Sequence, residues 1–140
     1  GLRSMDQIFQ MMVESTSRFL DSDALLVPVP LHWVRAFERG FNQAEVLAQS
    51  LKRPYRNLLR RTRSTGHQAH RSGAERRVAM RHAFGISKGS AVTEKVILID
   101  DVCTTGATLE AAASALKDAG VLHVEALVIA LAQARARARA

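Results

Sequence analysis

The sequence holds one cysteine, Cys103, and no second thiol to pair with it. An intrachain disulfide is excluded, and so is any structural zinc site built on cysteines. Long apolar runs are missing too. The longest, from Val124 to Ala132, is broken by Glu125 and falls far short of the roughly 20 residues of a membrane span. The chain does not open on a charged start, an apolar stretch and a small-residue cleavage site, so no secretory signal is read. Aromatic residues contribute only 5%, which leaves little for stacking on the bases of a single strand. Acidic residues are scarce between residues 35 and 82, where 3 Glu face 11 Arg and 1 Lys.

At 140 residues the chain is long enough for one domain and too short for two ordinary ones. Hydrophobic residues make up 47% and charged residues 24%, which argues against intrinsic disorder. A domain of this size buries roughly two thirds of its unfolded surface and needs no covalent staple. A single domain over residues 1–132 is expected, soluble and cytoplasmic. The Ala/Arg repeat over 133–140 reads as a disordered tail. The net charge is +7, but residues 35–82 alone carry +9 and the remainder −2. Such polarity points to an anionic partner, either a nucleic acid or a phosphate-rich small molecule.

Residues 4–20 predict a helix, with Ser4 and Gln7 spaced as a capping box and Ile8, Met11, Met12 and Phe19 on a loose apolar face. Ala24 to Val27 is a short, wholly apolar run ended by Pro28-Val29-Pro30, the pattern of a strand buried on both faces. Asn42 caps a second helix whose stripe is Ala44, Leu47, Ala48 and Leu51. Residues 60–73 form a cationic stretch with little apolar periodicity and read as a long loop, with helix resuming over 74–81. Val96 to Ile99 is the clearest strand. A helix over 108–119 follows, with Gly120 at its end, and then a strand over 124–131. Strand, helix, strand at this spacing is a βαβ unit and implies a parallel sheet.

The chemistry concentrates where the first strand of that unit ends. Asp100 and Asp101 arrive at its carboxyl end, the edge where open α/β sheets bind ligands. Val102, Cys103, Thr104, Thr105, Gly106, Ala107 and Thr108 then lead into a helix N-terminus. Backbone N–H groups and the helix dipole make such a place an anion site. The threonines add hydroxyl donors, and Gly106 lets backbone approach a phosphate. Carboxylates accept hydrogen bonds from hydroxyls. A ligand that satisfies both halves carries a phosphate with vicinal hydroxyls nearby, as a ribose 5-phosphate does.

This stretch resembles the phosphoribosyl-pyrophosphate (PRPP) binding signature of type I phosphoribosyltransferases: an apolar run, Asp-Asp, then Thr-Thr-Gly-Ala-Thr. It lacks the lysine of a P-loop and the spacing of a Rossmann fingerprint. Val27-Pro28-Val29-Pro30-Leu31-His32, Arg39-Gly40-Phe41-Asn42-Gln43, Arg61-Thr62-Arg63 with Gln68, Glu75-Arg76-Arg77 and Ala83-Phe84 resemble the ComF/GntX-type competence proteins. Arg71 stands where that family's loop leads one to expect an apolar residue. Members carry an amino-terminal cysteine-rich zinc module, to which nothing here corresponds, so no zinc is expected in this chain.

The resemblance implies a Rossmann-like, mainly parallel sheet flanked by helices, with PRPP at its carboxyl edge. It implies Asp100 and Asp101 on the ribose hydroxyls and residues 102–108 on the 5-phosphate. Leu31, His32, Arg35 and Arg39 would hold the pyrophosphate with its Mg2+, and a loop over 61–73 would close on the site with Arg63 or Arg71. Its implied reaction is transfer of the ribose 5-phosphate to a nitrogenous acceptor with release of pyrophosphate. The rival is a non-catalytic module that senses PRPP or binds single-stranded DNA in competence. His67 and His70 have a metal-pair spacing but no third ligand, and read as exposed. Cys103 has no histidine placed beside it by sequence and reads as a small loop filler rather than a nucleophile.

Overall fold

The computed structural model describes residues 20–31, 40–62, 82–103 and 106–131, together with Gln7, Met11, Glu14, Ser15 and Arg18. Gln7, Met11, Glu14 and Ser15 are helical, in keeping with the helix expected there, and Ser15 Oγ donates to the Met11 carbonyl at 2.6 Å. Arg18 lies in a turn and Leu20 in a bend, so the helix ends before them; Ser4 and the other residues of that segment lie outside the described residues, as do the helix expected over 74–81 and the tail over 133–140.

Three parallel strands form the central sheet in the order β1-β4-β5, with β1 at Leu25–Pro28, β4 at Lys95–Cys103 and β5 at His123–Leu131. Leu25 pairs with Val96 and Leu26 with Ile97, while Lys95 pairs with His123 and Ile99 with Leu127. β1 is buried along its whole length, as expected of an apolar run. Proline is tolerated as its last residue because the ladder loses only one donor there, and the next N–H, that of Val29, reaches the Ile99 carbonyl at 2.8 Å.

Strand alternation divides the core in two. Leu25, Val27, Val96 and Leu98 face one side, with Ala111, Ala112 and Leu116 of helix α2 (Ala107–Asp118) and with Leu58, Leu59, Ala83 and Phe84. Leu26, Ile97 and Ile99 face the other, with Leu47 and Ala48 of helix α1 (Gln43–Ser50) and Leu51 just beyond its end. Burying a leucine or isoleucine of this kind contributes roughly 2 kcal/mol, so these two clusters hold β4 from both sides.

Both helices are ended by their sequence. Asn42 caps α1 by accepting the Ala44 N–H at 3.0 Å. At the end of α2 the Val121 N–H reaches the Leu116 carbonyl and the Gly120 N–H the Lys117 carbonyl, both at 3.0 Å, with Gly120 at φ +108°. That pair is a Schellman motif, and Leu116 and Val121 share the same core cluster beneath it.

Two features depart from expectation. β4 runs on to Cys103 instead of stopping at Ile99, because β5 continues beside it and pairs Asp100 with Val128 and Cys103 with Leu131. Backbone ladders form whether or not the side chains are apolar, so the two aspartates lie inside the strand. The second is an antiparallel pair, β2 (Leu59–Arg61) with β3 (Phe84–Ile86), which makes Arg61 a strand residue and not the start of a loop. Strands of three residues are too short to register as a period.

Candidate functional site

The carboxyl ends of β1 and β4 lie side by side, since Pro28 pairs with Ile99. From β1 come Val29, Pro30 and Leu31. Asn42 Nδ2 donates to the Val29 carbonyl at 3.1 Å while its Oδ1 caps α1, so one side chain joins this turn to the helix start. Arg61 Nε donates to the Pro30 carbonyl at 2.9 Å, and its guanidinium lies over the Phe84 ring, 4.8 Å from the centroid. At its far end the hairpin is closed by Thr62, whose N–H donates to the Ala83 carbonyl at 2.8 Å and whose Oγ1 donates to the His82 carbonyl.

On β4, Asp100 and Asp101 are both half-buried. Asp100 Oδ1 accepts the Asp101 N–H at 2.9 Å. Burial is the largest influence on Asp100 and raises its proton affinity. The Asp101 N–H lowers it, a side-chain hydrogen bond with Asp101 and that residue's charge raise it, and Arg61 lowers it. The carboxyl ends up pushed from 3.8 to about 6. A carboxylate so placed is still mainly ionised at neutral pH and is a strong acceptor for hydroxyl donors.

Three residues separate helix α2 from the end of β4. Its N-cap, Gly106, has φ +80° and ψ −5°, the left-handed region that glycine enters without strain. Gly106 brings no side chain to cap the helix, and a methyl group at Gly106 would meet nothing within 4 Å. The positive end of the helix dipole lies here, with Ala107 and Thr108 half-buried in the first turn.

Of the residues singled out from sequence, Leu31 lies beyond the carboxyl end of β1, Asp100, Asp101 and the backbone of Val102 and Cys103 lie in the last part of β4, and Gly106, Ala107 and Thr108 lie at the start of α2. His32, Arg35, Arg39, Arg63, Arg71, Thr104 and Thr105 lie outside the described residues, as do His67 and His70. Asn42's second bond, to Val29, and Arg61's place in β2 had no local signal, because both depend on segments more than ten residues away. Among the described residues no group of three or more Asp, Glu, His or Cys converges to hold a metal ion. Mg2+ carried on the oxygens of a diphosphate would need few ligands from the protein, the usual mode for that ion beside phosphates. No helix among the described residues is long and apolar enough to cross a membrane.

The phosphoribosyl transferase domain model matches residues 19–139. The chain belongs to that family. Among relatives of this phosphoribosyl transferase domain, "Competence protein F" of Haemophilus influenzae is 36% identical over 107 residues, covering 71% of this chain and 47% of the relative. "Competence protein ComFC" of Bacillus subtilis is 42% identical over 100 residues, 71% of this chain and 41% of the relative. "DNA utilization protein YhgH" of Escherichia coli K12 is 32% identical over 105 residues, 71% and 46% respectively. The chain spans about half the length of these curated relatives. A solved hypoxanthine phosphoribosyltransferase from Staphylococcus aureus superposes with a TM-score of 0.51 at 15% identity, over 91% of this chain and 72% of that one. That likeness is one of fold: the parallel sheet with flanking helices is the type I phosphoribosyltransferase architecture.

Proposed function

We propose that the domain binds PRPP or a related ribose 5-phosphate at the carboxyl edge of its sheet and transfers the ribose 5-phosphate to a nitrogenous acceptor. The observation that carries the reading is the succession of two half-buried carboxylates and a glycine-started helix on one sheet edge of a phosphoribosyl transferase domain. The helix start suits a terminal phosphate, and the carboxylates suit the ribose hydroxyls next to it. On the far side, the Leu31 N–H in the turn after β1 suits the diphosphate, with His32, Arg35 and Arg39 beyond it in sequence. Mg2+ bound to the diphosphate would neutralise charge developing on the leaving group.

In the reaction the bond from C1 to the diphosphate oxygen breaks with its electron pair, a bond from the acceptor nitrogen to C1 forms, and the acceptor loses a proton. Positive charge builds on the ring as in glycoside chemistry. Asp100 and Asp101 sit where their negative charge favours that state. Arg63 or Arg71, from the segment following β2, would complete the site by covering it.

A second reading keeps the ligand and drops the chemistry: a PRPP-sensing or single-stranded-DNA-binding module in competence. It is favoured by the names of the relatives, which refer to competence and DNA utilization, and by the +9 charge of residues 35–82. Calorimetric titration with PRPP and Mg2+ tests the enzyme and the PRPP-sensing module, since both need the site. One saturable site is expected, and absence of heat at millimolar PRPP would overturn those two and leave the DNA-binding module. Salt-titrated anisotropy with single-stranded DNA then separates the enzyme from the DNA-binding module. A pocket-based enzyme should show a shallow slope and competition by PRPP. A strand-binding module should lose affinity steeply with salt, by about −0.7 in log–log slope per phosphate neutralised.

A further inference from the structure

We infer that Arg61 is a positioning residue that sets the direction of the Leu31 N–H by holding the carbonyl on the same peptide plane. The Pro30 carbonyl and the Leu31 N–H belong to one planar trans unit, so fixing one fixes the other in the opposite direction. Arg61 Nε donates to that carbonyl at 2.9 Å. The preceding carbonyl, Val29 O, is held by Asn42 Nδ2 at 3.1 Å, and the Val29 N–H is held by Ile99 O at 2.8 Å. Successive peptide planes of the turn are therefore pinned from β4, from α1 and from β2. The last pin precedes an N–H that the proposed function assigns to the diphosphate.

An arginine suits this task better than a lysine. Its guanidinium is planar, so one face can lie on the Phe84 ring at 4.8 Å while an edge N–H donates sideways. Lysine would supply the charge without the fixed direction. The strand that carries Arg61 leads into residues 63–81, and Thr62 closes the hairpin against His82 and Ala83 at that point. Arg61 therefore ties the paired strands β2 and β3 to the turn after β1. It also lowers the proton affinity of Asp100, against the opposing effect of Asp101; these two are the charged groups acting on Asp100 among the described residues.

The inference rests on the PRPP reading only for its consequence, and the test separates the two. In the ligand-free full chain, 15N relaxation and amide exchange report on Leu31, and carboxyl 13C shifts report on Asp100. Arg61→Gln and Arg61→Lys are both expected to loosen the Leu31 amide and to weaken PRPP–Mg2+ binding roughly tenfold, the scale of one lost charge-assisted bond. Only Arg61→Gln, which removes the charge, should raise the Asp100 titration midpoint. A Leu31 amide as ordered in both variants as in the wild type overturns the inference, whether or not PRPP binds. A loosened amide in a chain that binds no PRPP upholds the positioning role and refutes the ligand reading.

Discussion

The two ends of β4 carry charge in opposite states of satisfaction. At the amino end, Lys95 Nζ lies 3.2 Å from Asp21 Oδ2, and both side chains are 36% exposed. The Asp23 N–H and Lys95 hold the Asp21 carboxyl below its usual range, and Asp21 in turn raises Lys95. A cavity of about 250 Å3, lined by Asp21, Lys95, His123 and Glu125 among others, opens at this end. At the carboxyl end, Asp100 is half-buried beside a second carboxylate and pushed up to about 6. One strand thus pairs its charge at one end and confines like charge at the other. Structural ion pairs lower a carboxyl, whereas burial beside a second carboxylate raises one, a pattern that clusters at functional sites. In the hollow at the amino end, Asp21 and Lys95 already answer one another.

The largest effect should come from breaking the carboxyl end. Asp100→Asn with Asp101→Asn is expected to weaken PRPP–Mg2+ binding by about a hundredfold, the scale of two charge-assisted bonds, with the circular dichroism spectrum unchanged. Equal affinity in calorimetry would remove the site from this edge.

Next comes Gly106→Ala. No atom lies near enough to clash with the new methyl group, so the cost is that of holding alanine at φ +80°, about 1–2 kcal/mol, read as a lower urea midpoint. An unchanged midpoint would show that the helix start relaxes freely.

Asp100→Asn alone sharpens the comparison further. A carboxyl whose folded pKa is raised favours the native state below its ordinary value near 3.8, and loses that favour as pH rises through about 6. The wild type should therefore lose stability across pH 4 to 6 from this group, and Asn, which keeps the acceptor for the Asp101 N–H, should remove that slope. At pH 7 the variant should be more stable by on the order of 1 kcal/mol, after discounting for solvent around a half-buried group. Thermal melts at pH 4 and pH 7 decide it, and a variant less stable at both would contradict the account. At the amino end, Lys95→Met should move the melting temperature by no more than about a degree, since exposed pairs contribute little. A larger drop would mean that this pair is structural.

Much of the frame was legible because local pattern and tertiary role coincide. Leu26, Val27, Val96 and Ile99 are apolar without alternation because both faces of their strands are covered, and Asn42 and Gly120 are chosen by caps that act within a few residues. β2 and β3 were not legible. Leu59 to Arg61 holds two arginines, and its partner lies more than twenty residues on, so only pairing in space makes either segment a strand. The extent of β4 was misjudged for the same reason: Asp100 and Asp101 read as a strand exit until β5 was placed beside them. Leu31, Asp100, Asp101 and Gly106 were singled out from motif, and the structure shows which element carries each. Arg61 was visible only as part of a basic stretch, because its carbonyl acceptor and aromatic platform come from other elements.

Sequence by itself determined the family, the parallel βαβ unit and the position of the carboxylates ahead of a glycine-started helix, since each rests on residues within one local stretch. Tertiary structure alone decided that Asp100 is held near pH 6, that Asn42 and Arg61 pin the turn after β1, and that the arginine-rich segment springs from a paired hairpin. Burial, the field of a neighbour and a side chain's reach across 13 or 31 residues are properties of distances in space, and a linear pattern carries none of them.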